Sequence, residues 1–501
     1  MDSDGFPSKI NRSVWLAGAV IIIVGRTFGL RLALPIPTVI FTEYKHNCER
    51  YGIKTGSQGV YVKLTATNWV ELHSNSANAI KSTAYQAMVH SAPNSLTIRH
   101  KEDHAKRRRI LSLAFSDSQI LKYEKIVHRH IDSLCDNIKA AIDRQKEATE
   151  EISVDMSDQS DWLTFDIMSE VIFGMKYNAL KESKWRYVPT AIQNSNIRVS
   201  ALIQAYSLST CRIDRYLFAA SIKARNQYLR FIFGLLKNRS KASFSDSGNV
   251  FSFLETAKDT SDNDKPVLSR SEIQAECATL VVAGSDTSSS TLAATMYYLS
   301  SNPESYEKAC REVRSTFQNL ADIVLGPRLN SCVYLRACID EALRLSPPAG
   351  SALWREIGQG GMLIDGQRIP QGIDVGVGIY SLHHNQAYHD NPFQYAPERW
   401  IVGEGSSTAE SVERERSAFA PFSSGPRGCV GKGFAYREMT LTLARVIHQF
   451  DFALATEVPQ VAGIHTIGGH DEFLLKDHVT GSKMGPFLTF KHRAHEDGIA
   501  V

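Results

Sequence analysis

Ten residues near the C-terminal end, Phe422-Ser423-Ser424-Gly425-Pro426-Arg427-Gly428-Cys429-Val430-Gly431, constrain this chain more than any other stretch. Glycine and proline at this density exclude helix and strand, so the segment must be a tight turn. From Gly433 to Phe450 the sequence then carries a helical apolar pattern, which puts Cys429 at the entrance of a helix. There the macrodipole and the unpaired backbone N–H groups favour an anion, so the thiolate is expected to be favoured over the thiol. Those same N–H groups can donate to a metal-bound sulfur. Phe422 can shield the sulfur, and Arg427 can reach an anionic group beside it.

A cysteine taken alone in a glycine-rich turn is ordinarily a buried structural residue. A phosphate-binding loop is the other reading, but the Lys-Ser/Thr ending such a loop needs is missing. The remaining cysteines, Cys48, Cys135, Cys211, Cys277, Cys310, Cys332 and Cys338, form no Cys-x-x-Cys pair and suggest no zinc site. Their scatter suits a reducing compartment, where most cysteines are small buried hydrophobes. The formal net charge of +3, from 56 basic and 53 acidic residues, gives no single-sign field and excludes nucleic acid as an expected partner.

Two alternating stretches read as sheet: Val60-Tyr61-Val62-Lys63-Leu64, and about 362 to 380 with an Asp365-Gly366 turn. A third is expected near Phe473 to Phe490. Between about 100 and 350 the period is helical. Ser269-x-x-Glu272 is a capping-box signal opening a long apolar helix that should run to about Ser300. Polar stretches at 238–249, 257–266 and 403–417 read as surface loops rather than linkers. The expectation is one large, mainly α domain with a minor β-sheet region, although the length alone would favour two to four domains.

Four further places carry chemistry. Glu341 and Arg344 lie three apart on one helix face, in Glu341-Ala342-Leu343-Arg344, a pairing that on a surface is worth only a few tenths of a kcal/mol. Ala283-Gly284-Ser285-Asp286-Thr287 puts a glycine inside the long helix at a cost of roughly 0.5–1 kcal/mol relative to alanine. Such a glycine lets a flat body approach the backbone, or marks a kink or a small-residue packing seam. Thr287 can bond back into its own turn or outward into a cavity. His104 and Arg108, four apart, share a face of a helix that also carries Lys106, Arg107 and Arg109. Arg355 follows the Pro347-Pro348 turn.

The cysteine stretch matches F-x-x-G-x-R-x-C-x-G without exception, and it resembles the haem-binding loop of cytochromes P450. Glu341-x-x-Arg344 resembles that family's E-x-x-R helix, and Pro397-Glu398-Arg399-Trp400 its P-E-R-F segment with Trp in place of Phe. Ala283 to Thr287 resembles its [AG]-G-x-[DE]-T oxygen-activation motif. The resemblance runs from roughly 40 to 490, in the family's order. It implies the cytochrome P450 fold, with haem b (iron protoporphyrin IX) between the long helix and the cysteine loop and the Cys429 thiolate as axial iron ligand. It implies Glu341, Arg344 and Arg399 as a triad beneath the haem, and Asp286 and Thr287 as the proton relay. His104, Arg108, Arg355 and Arg427 should hold the two propionates by charge-assisted hydrogen bonds.

The implied function is a monooxygenase that inserts one atom of dioxygen into a hydrophobic small molecule, with electrons from NADPH through a cytochrome P450 reductase. Lys101, Lys106, Arg107, Arg109, Lys122 and Lys125 could form that reductase's docking patch or be a merely solvated face. A dioxygen-independent haem-thiolate isomerase or dehydratase is the first alternative, but members without oxygen activation can lose the acid–threonine pair kept here. A non-catalytic haem protein is the second, and it has no need of a relay. The pocket is expected from the segment after His90, the 195–220 region, Ala275 to Thr287, Ala349 to Leu353 and the hairpin near 475–486, mostly small and apolar. The pattern of Leu345 to Gly350 with Pro397 to Trp400 looks like fungal members serving specialised metabolism.

At the N-terminus Val14 to Val24 is an uninterrupted apolar run. Extended to Leu34 it is long enough to span a membrane, but it then includes Arg26 and Arg31, which would have to snorkel. Residues 1–37 are expected to be a membrane anchor and proline hinge, a mobile arm being the alternative, with 38–501 the haem domain. The expected site is the endoplasmic reticulum membrane, with the catalytic domain facing the cytosol.

Overall fold

The computed structural model describes residues 61–62, 65–210, 212–239, 248–257, 267–456, 464–467 and 470–493. The expected anchor at 1–37 lies outside the described residues. Among those described, no helix is long and apolar enough to cross a membrane.

The helices that build the site are α1 (Ala66–His73), α2 (Lys101–Ala114), α3 (Asp117–Gln145), α4 (Met156–Phe173), α5 (Tyr187–Gln204), α6 (Ala219–Arg239) and α7 (Arg270–Ser301). They continue with α8 (Pro303–Thr316), α9 (Val333–Leu345), α10 (Ala409–Ser417) and α11 (Lys432–Gln449). The helix α7 is the axis of the molecule. Its start follows the capping signal: Ser269 Oγ accepts from the Glu272 N–H at 3.3 Å while Glu272 Oε2 accepts from the Ser269 N–H at 2.8 Å. Its second half, Ser288 to Leu299, is buried, so the core wraps around it. One large cluster joins α2, α3, α4, α7, α9 and α11, with Leu111, Ile131, Phe165, Val281, Leu335 and Leu443 among its members.

The strands are short. Tyr61–Val62 runs parallel to Asp374–Gly376, which pairs with Arg355–Ile357, which pairs with Ala79–Lys81. This sheet carries Lys81 and Arg355 side by side in register. The hairpin Met362–Ile364/Gln367–Ile369 turns through Asp365 (φ 49°) and Gly366 (φ 71°), the two positive φ values a two-residue type I′ turn needs. Near the C-terminus, the hairpin Lys476–His478/Thr480–Ser482 packs against α5 and α7, where the Gly481 carbonyl accepts from Ser290 Oγ at 2.9 Å.

One expectation needs correcting here. The polar stretch 403–417 is not all loop, because Thr408 caps α10 through reciprocal bonds with Ser411. Val412 and Glu415 face inward, and Glu415 meets Arg399 at 3.2 Å. A polar helix of this kind has too narrow an apolar stripe to be read from period alone. The stretches 240–247 and 258–266 lie outside the described residues.

Candidate active site

The cysteine turn is held from three sides. Gly425 has φ +66°, and a Cβ there would lie 2.0 Å from the His73 carbonyl oxygen, so the loop's approach to α1 requires glycine. Trp69 Nε1 donates to Ser424 Oγ at 2.8 Å, which ties α1 to the turn. The Cys429 N–H donates to the Phe422 carbonyl at 2.8 Å, so Phe422 closes the loop through its backbone while its ring packs on Tyr436. The Arg108 guanidinium donates to the Gly428 carbonyl next to the cysteine.

Among the described cysteines, Cys135, Cys277, Cys310, Cys332 and Cys338 are buried and Cys429 is exposed. That exposure is to interior space, because enough protein surrounds the sulfur for burial to raise its thiol pKa. The N–H groups of Gly431 and Lys432 and the Arg108 charge pull the other way without winning. The expected preference for thiolate is therefore corrected: the helix entrance alone does not ionise Cys429. Coordination to a cation does so directly, since a ligating thiol gives up its proton.

Beside the loop a cleft of about 410 Å³ brings together His104 and Arg108 from α2, Arg355 from the sheet and Arg427 from the turn. All four were expected from separate segments. Lys81 and His73 also line the cleft, and sequence reasoning missed both; neither sits in a local motif. No aspartate or glutamate is among its lining residues. Arg427 donates to the carbonyls of Ile98 and Arg99, at 2.7 and 3.2 Å, and Arg355 to those of Leu353 and Trp354, at 3.2 and 3.1 Å.

Burial, then Arg355 and Arg427, lower the Lys81 ammonium well below its usual value. Burial and the neighbouring cations Arg427, Lys81, Arg108 and Arg355 push His104 down to about 3. With no anion beside it, His104 is a neutral ring among these cations. A cluster of buried cations without a carboxylate demands an anion. The donor set fits a dianionic group such as the two haem propionates.

Glu341 is fully buried and accepts from Arg344 Nε and Nη2 (2.9 and 2.8 Å) and from Arg399 Nε (3.0 Å). The indole of Trp400 donates to Glu341 Oε2 at 3.0 Å, so the departure from phenylalanine adds a hydrogen bond to the carboxylate. Burial alone would raise the Glu341 pKa, but Arg344, Arg399 and the hydrogen bonds reverse this and hold it at about 2.

On the other side, Thr287 of α7 lines a cavity of about 200 Å³ with Leu96, Ala283, Ala349, Ala352, Leu353 and Val479. Its hydroxyl donates back to the Ala283 carbonyl at 2.7 Å. Asp286 does not line that space. It is buried, and its Oδ2 accepts from Thr480 Oγ1 at 2.8 Å and Asn196 Nδ2 at 3.2 Å. Burial and Asp161 raise its pKa to about 7, against the pull of Thr480, Lys483 and Asn196. Thr480 lines the cavity, so it links the carboxyl to that space.

Gly284 takes the packing-seam role of the two expected for it, and Arg107 takes a role not expected. A Cβ on Gly284 would lie 2.4 Å from Met168 Cε, so this glycine serves the seam between α7 and α4, and it is Ala283 that faces the cavity. Arg107 is no part of a surface patch: it is buried and paired with Glu272 (2.7 Å) and Glu276 (3.0 Å), which pins α2 to the start of α7. Lys101, Lys106, Arg109, Lys122 and Lys125 are exposed.

The sequence profile of the cytochrome P450 family matches residues 22–467. The chain belongs to the cytochrome P450 family. It is similar to cytochrome P450 monooxygenase apf8 of Gibberella fujikuroi, 58% identical over 74% of this chain and 100% of that one. A cytochrome P450 monooxygenase of Gibberella zeae is 43% identical over 84% of this chain and 97% of its own, and cytochrome P450 monooxygenase atnE of Emericella nidulans is 42% identical over 89% and 86%. The protein is thus a haem-thiolate monooxygenase of mainly α fold. As a cytochrome P450 it works with an electron-donating redox partner on a small-molecule substrate.

Proposed function

We propose that this cytochrome P450 hydroxylates a largely apolar small molecule, R–H + O₂ + NADPH + H⁺ → R–OH + H₂O + NADP⁺, with electrons relayed by an NADPH-dependent reductase. The observation that carries this reading is a carboxylate-free cationic cleft walled in part by Pro426 and Arg427 of the cysteine turn, together with a cavity walled by Thr287. The haem, when bound, supplies dioxygen activation and oxygen transfer. Cys429 would be its thiolate ligand, and His104, Arg108, Arg355, Arg427 and Lys81 would hold its propionates. Glu341 with Arg344 and Arg399 keeps the support beneath that site rigid.

Asp286 and Thr287 manage protons. With a pKa near 7, Asp286 both accepts and releases a proton at working pH. The Thr480 hydroxyl, which donates to Asp286 Oδ2, connects that carboxyl to the cavity and would turn to hand its proton on to the cavity when Asp286 supplies one. The Thr287 hydroxyl leaves the Ala283 carbonyl to donate into the same space. Thr287→Ala should therefore keep haem content and substrate affinity while NADPH consumption yields hydrogen peroxide in place of much of the product. General acid–base assistance is typically worth ~10²–10⁴-fold, so the product-to-NADPH ratio moves measurably. An unchanged ratio with normal haem content removes the relay role.

Residues 1–34 are proposed as an anchor to the endoplasmic reticulum membrane, with the catalytic domain in the cytosol. The full chain should sediment with microsomes, and deletion of 1–34 should leave a largely soluble protein that still binds haem. Equal solubility of both forms in detergent-free buffer refutes the anchor. The fungal sources of the similar monooxygenases support a place in fungal specialised metabolism.

A further inference from the structure

Beyond the cavity at Thr287 lies a second one, lined by Arg198, Arg225, His90, Asn94, Tyr228 and Gln274 together with apolar side chains. The two share Met88, Leu96, Ala283, Val479 and Thr480, so one wall runs from the outer space to the inner. The pocket thus departs from the expected small apolar lining at its outer end.

The charges there do not cancel. Arg198 directs Nε and Nη2 to Asp214 Oδ2, at 2.8 and 2.5 Å, and the pair is neutral. Arg225 on α6 is half-buried and makes no hydrogen bond to a carboxylate among the described residues; Asp214 is near enough to favour its charge, but that one carboxylate faces two arginines. Its guanidinium donates only to Oδ1 of the neighbouring Asn226, at 3.0 and 3.3 Å. No aspartate or glutamate is among the residues lining this cavity. Burial, then Arg225 and Arg198, push His90 down to about 4, so it adds a neutral ring and no charge. Two arginines against one carboxylate leave a net positive charge beside a partly apolar cavity, where an anionic group is favoured.

The inner end offers an anion nothing. Among the described residues no cation lines that space, and its one carboxyl, Asp477, is pushed toward the neutral acid by burial while it accepts from the Val479 N–H at 3.3 Å. An anionic group is therefore favoured at the outer end and disfavoured at the inner one.

Resting on the monooxygenase reading above, we propose that the substrate is an amphipathic carboxylic acid. Its carboxylate pairs with Arg225 in the outer cavity, and its apolar body passes Leu96, Ala283 and Val479 to Thr287. Oxidation then falls on a carbon remote from the acid group. Arg225 is the specificity-determining residue.

The test is a spectral titration of the full-length holoenzyme at neutral pH, using straight-chain acids from hexanoic to hexadecanoic and their methyl esters. At the best chain length the acid should bind at least about tenfold more tightly than its ester, because a hydrogen bond to a charged group carries about 10- to 100-fold in affinity. Arg225→Met should abolish this preference while ester affinity, haem content and the carbon monoxide spectrum stay as in the parent. Arg225→Lys should retain much of it. Equal binding of acid and ester across the series, or an unchanged preference in Arg225→Met, overturns the proposal. Loss of the carbon monoxide band in the parent enzyme would instead strike the haem-thiolate reading, so the two failures are separate.

Discussion

Replacing Cys429 with serine should abolish the red-shifted band of the reduced carbon monoxide complex and lower product formation by at least about 100-fold. Loss of an outer-shell partner already costs 10–100-fold at metal sites, and this change removes the ligand itself. Serine keeps the backbone bond from residue 429 to the Phe422 carbonyl, and the turn remains tied to α1 through Trp69 and Ser424. The fold should therefore survive, with its melting temperature close to the parent's. The sulfur's own pKa sharpens the prediction. Because burial raises it, the thiolate is not a standing property of the loop and depends on what the sulfur binds. A Cys429→Ser protein that keeps the band and turns over normally contradicts the ligand assignment.

Glu341→Gln should be the most destabilising single change in the scaffold. The parent carboxylate accepts from Arg344, Arg399, Trp400 and the Ala396 N–H. Removing its charge leaves the fully buried Arg344 without a carboxylate, while Arg399 keeps Glu415. Breaking a buried pair in this way costs about 3–5 kcal/mol, a large part of the roughly 5–15 kcal/mol that holds a protein folded. The variant should give a lower denaturant midpoint and little haem-loaded protein.

The pH dependence carries a definite sign. Glu341 titrates at about 2 when folded, below its ordinary 4.5, so its contribution is complete above the unfolded value. That contribution, about 3 kcal/mol, drains away as pH falls from about 4.5 toward 2. Denaturant midpoints measured across that range should fall more steeply for the parent than for Glu341→Gln. Parallel slopes, or a variant as stable as the parent, would falsify the view that this carboxylate is the charged centre of the scaffold.

What the sequence determined by itself is the chemistry written in neighbouring residues. Hydrogen bonds and φ values one to four residues apart leave local signatures. The Ser269–Glu272 cap, the Asp365-Gly366 turn, the cysteine turn before α11 and the Glu341–Arg344 pair were all legible for that reason. Arg399, Arg355 and the His104–Arg108 pair became readable as site residues only through resemblance, since they lie in three separate segments away from the cysteine turn. Tertiary structure alone decided which distant side chains meet. It put Lys81 beside Arg355 by strand register, buried Arg107 against Glu272 and Glu276, and gave Gly284 to Met168. It left Arg225 facing a cavity with no acid opposite. It also set the balance at Cys429, where the helix entrance is a local feature but burial comes from the whole fold. Charge and burial sum over everything that packs around a group, and no window along the chain contains those neighbours.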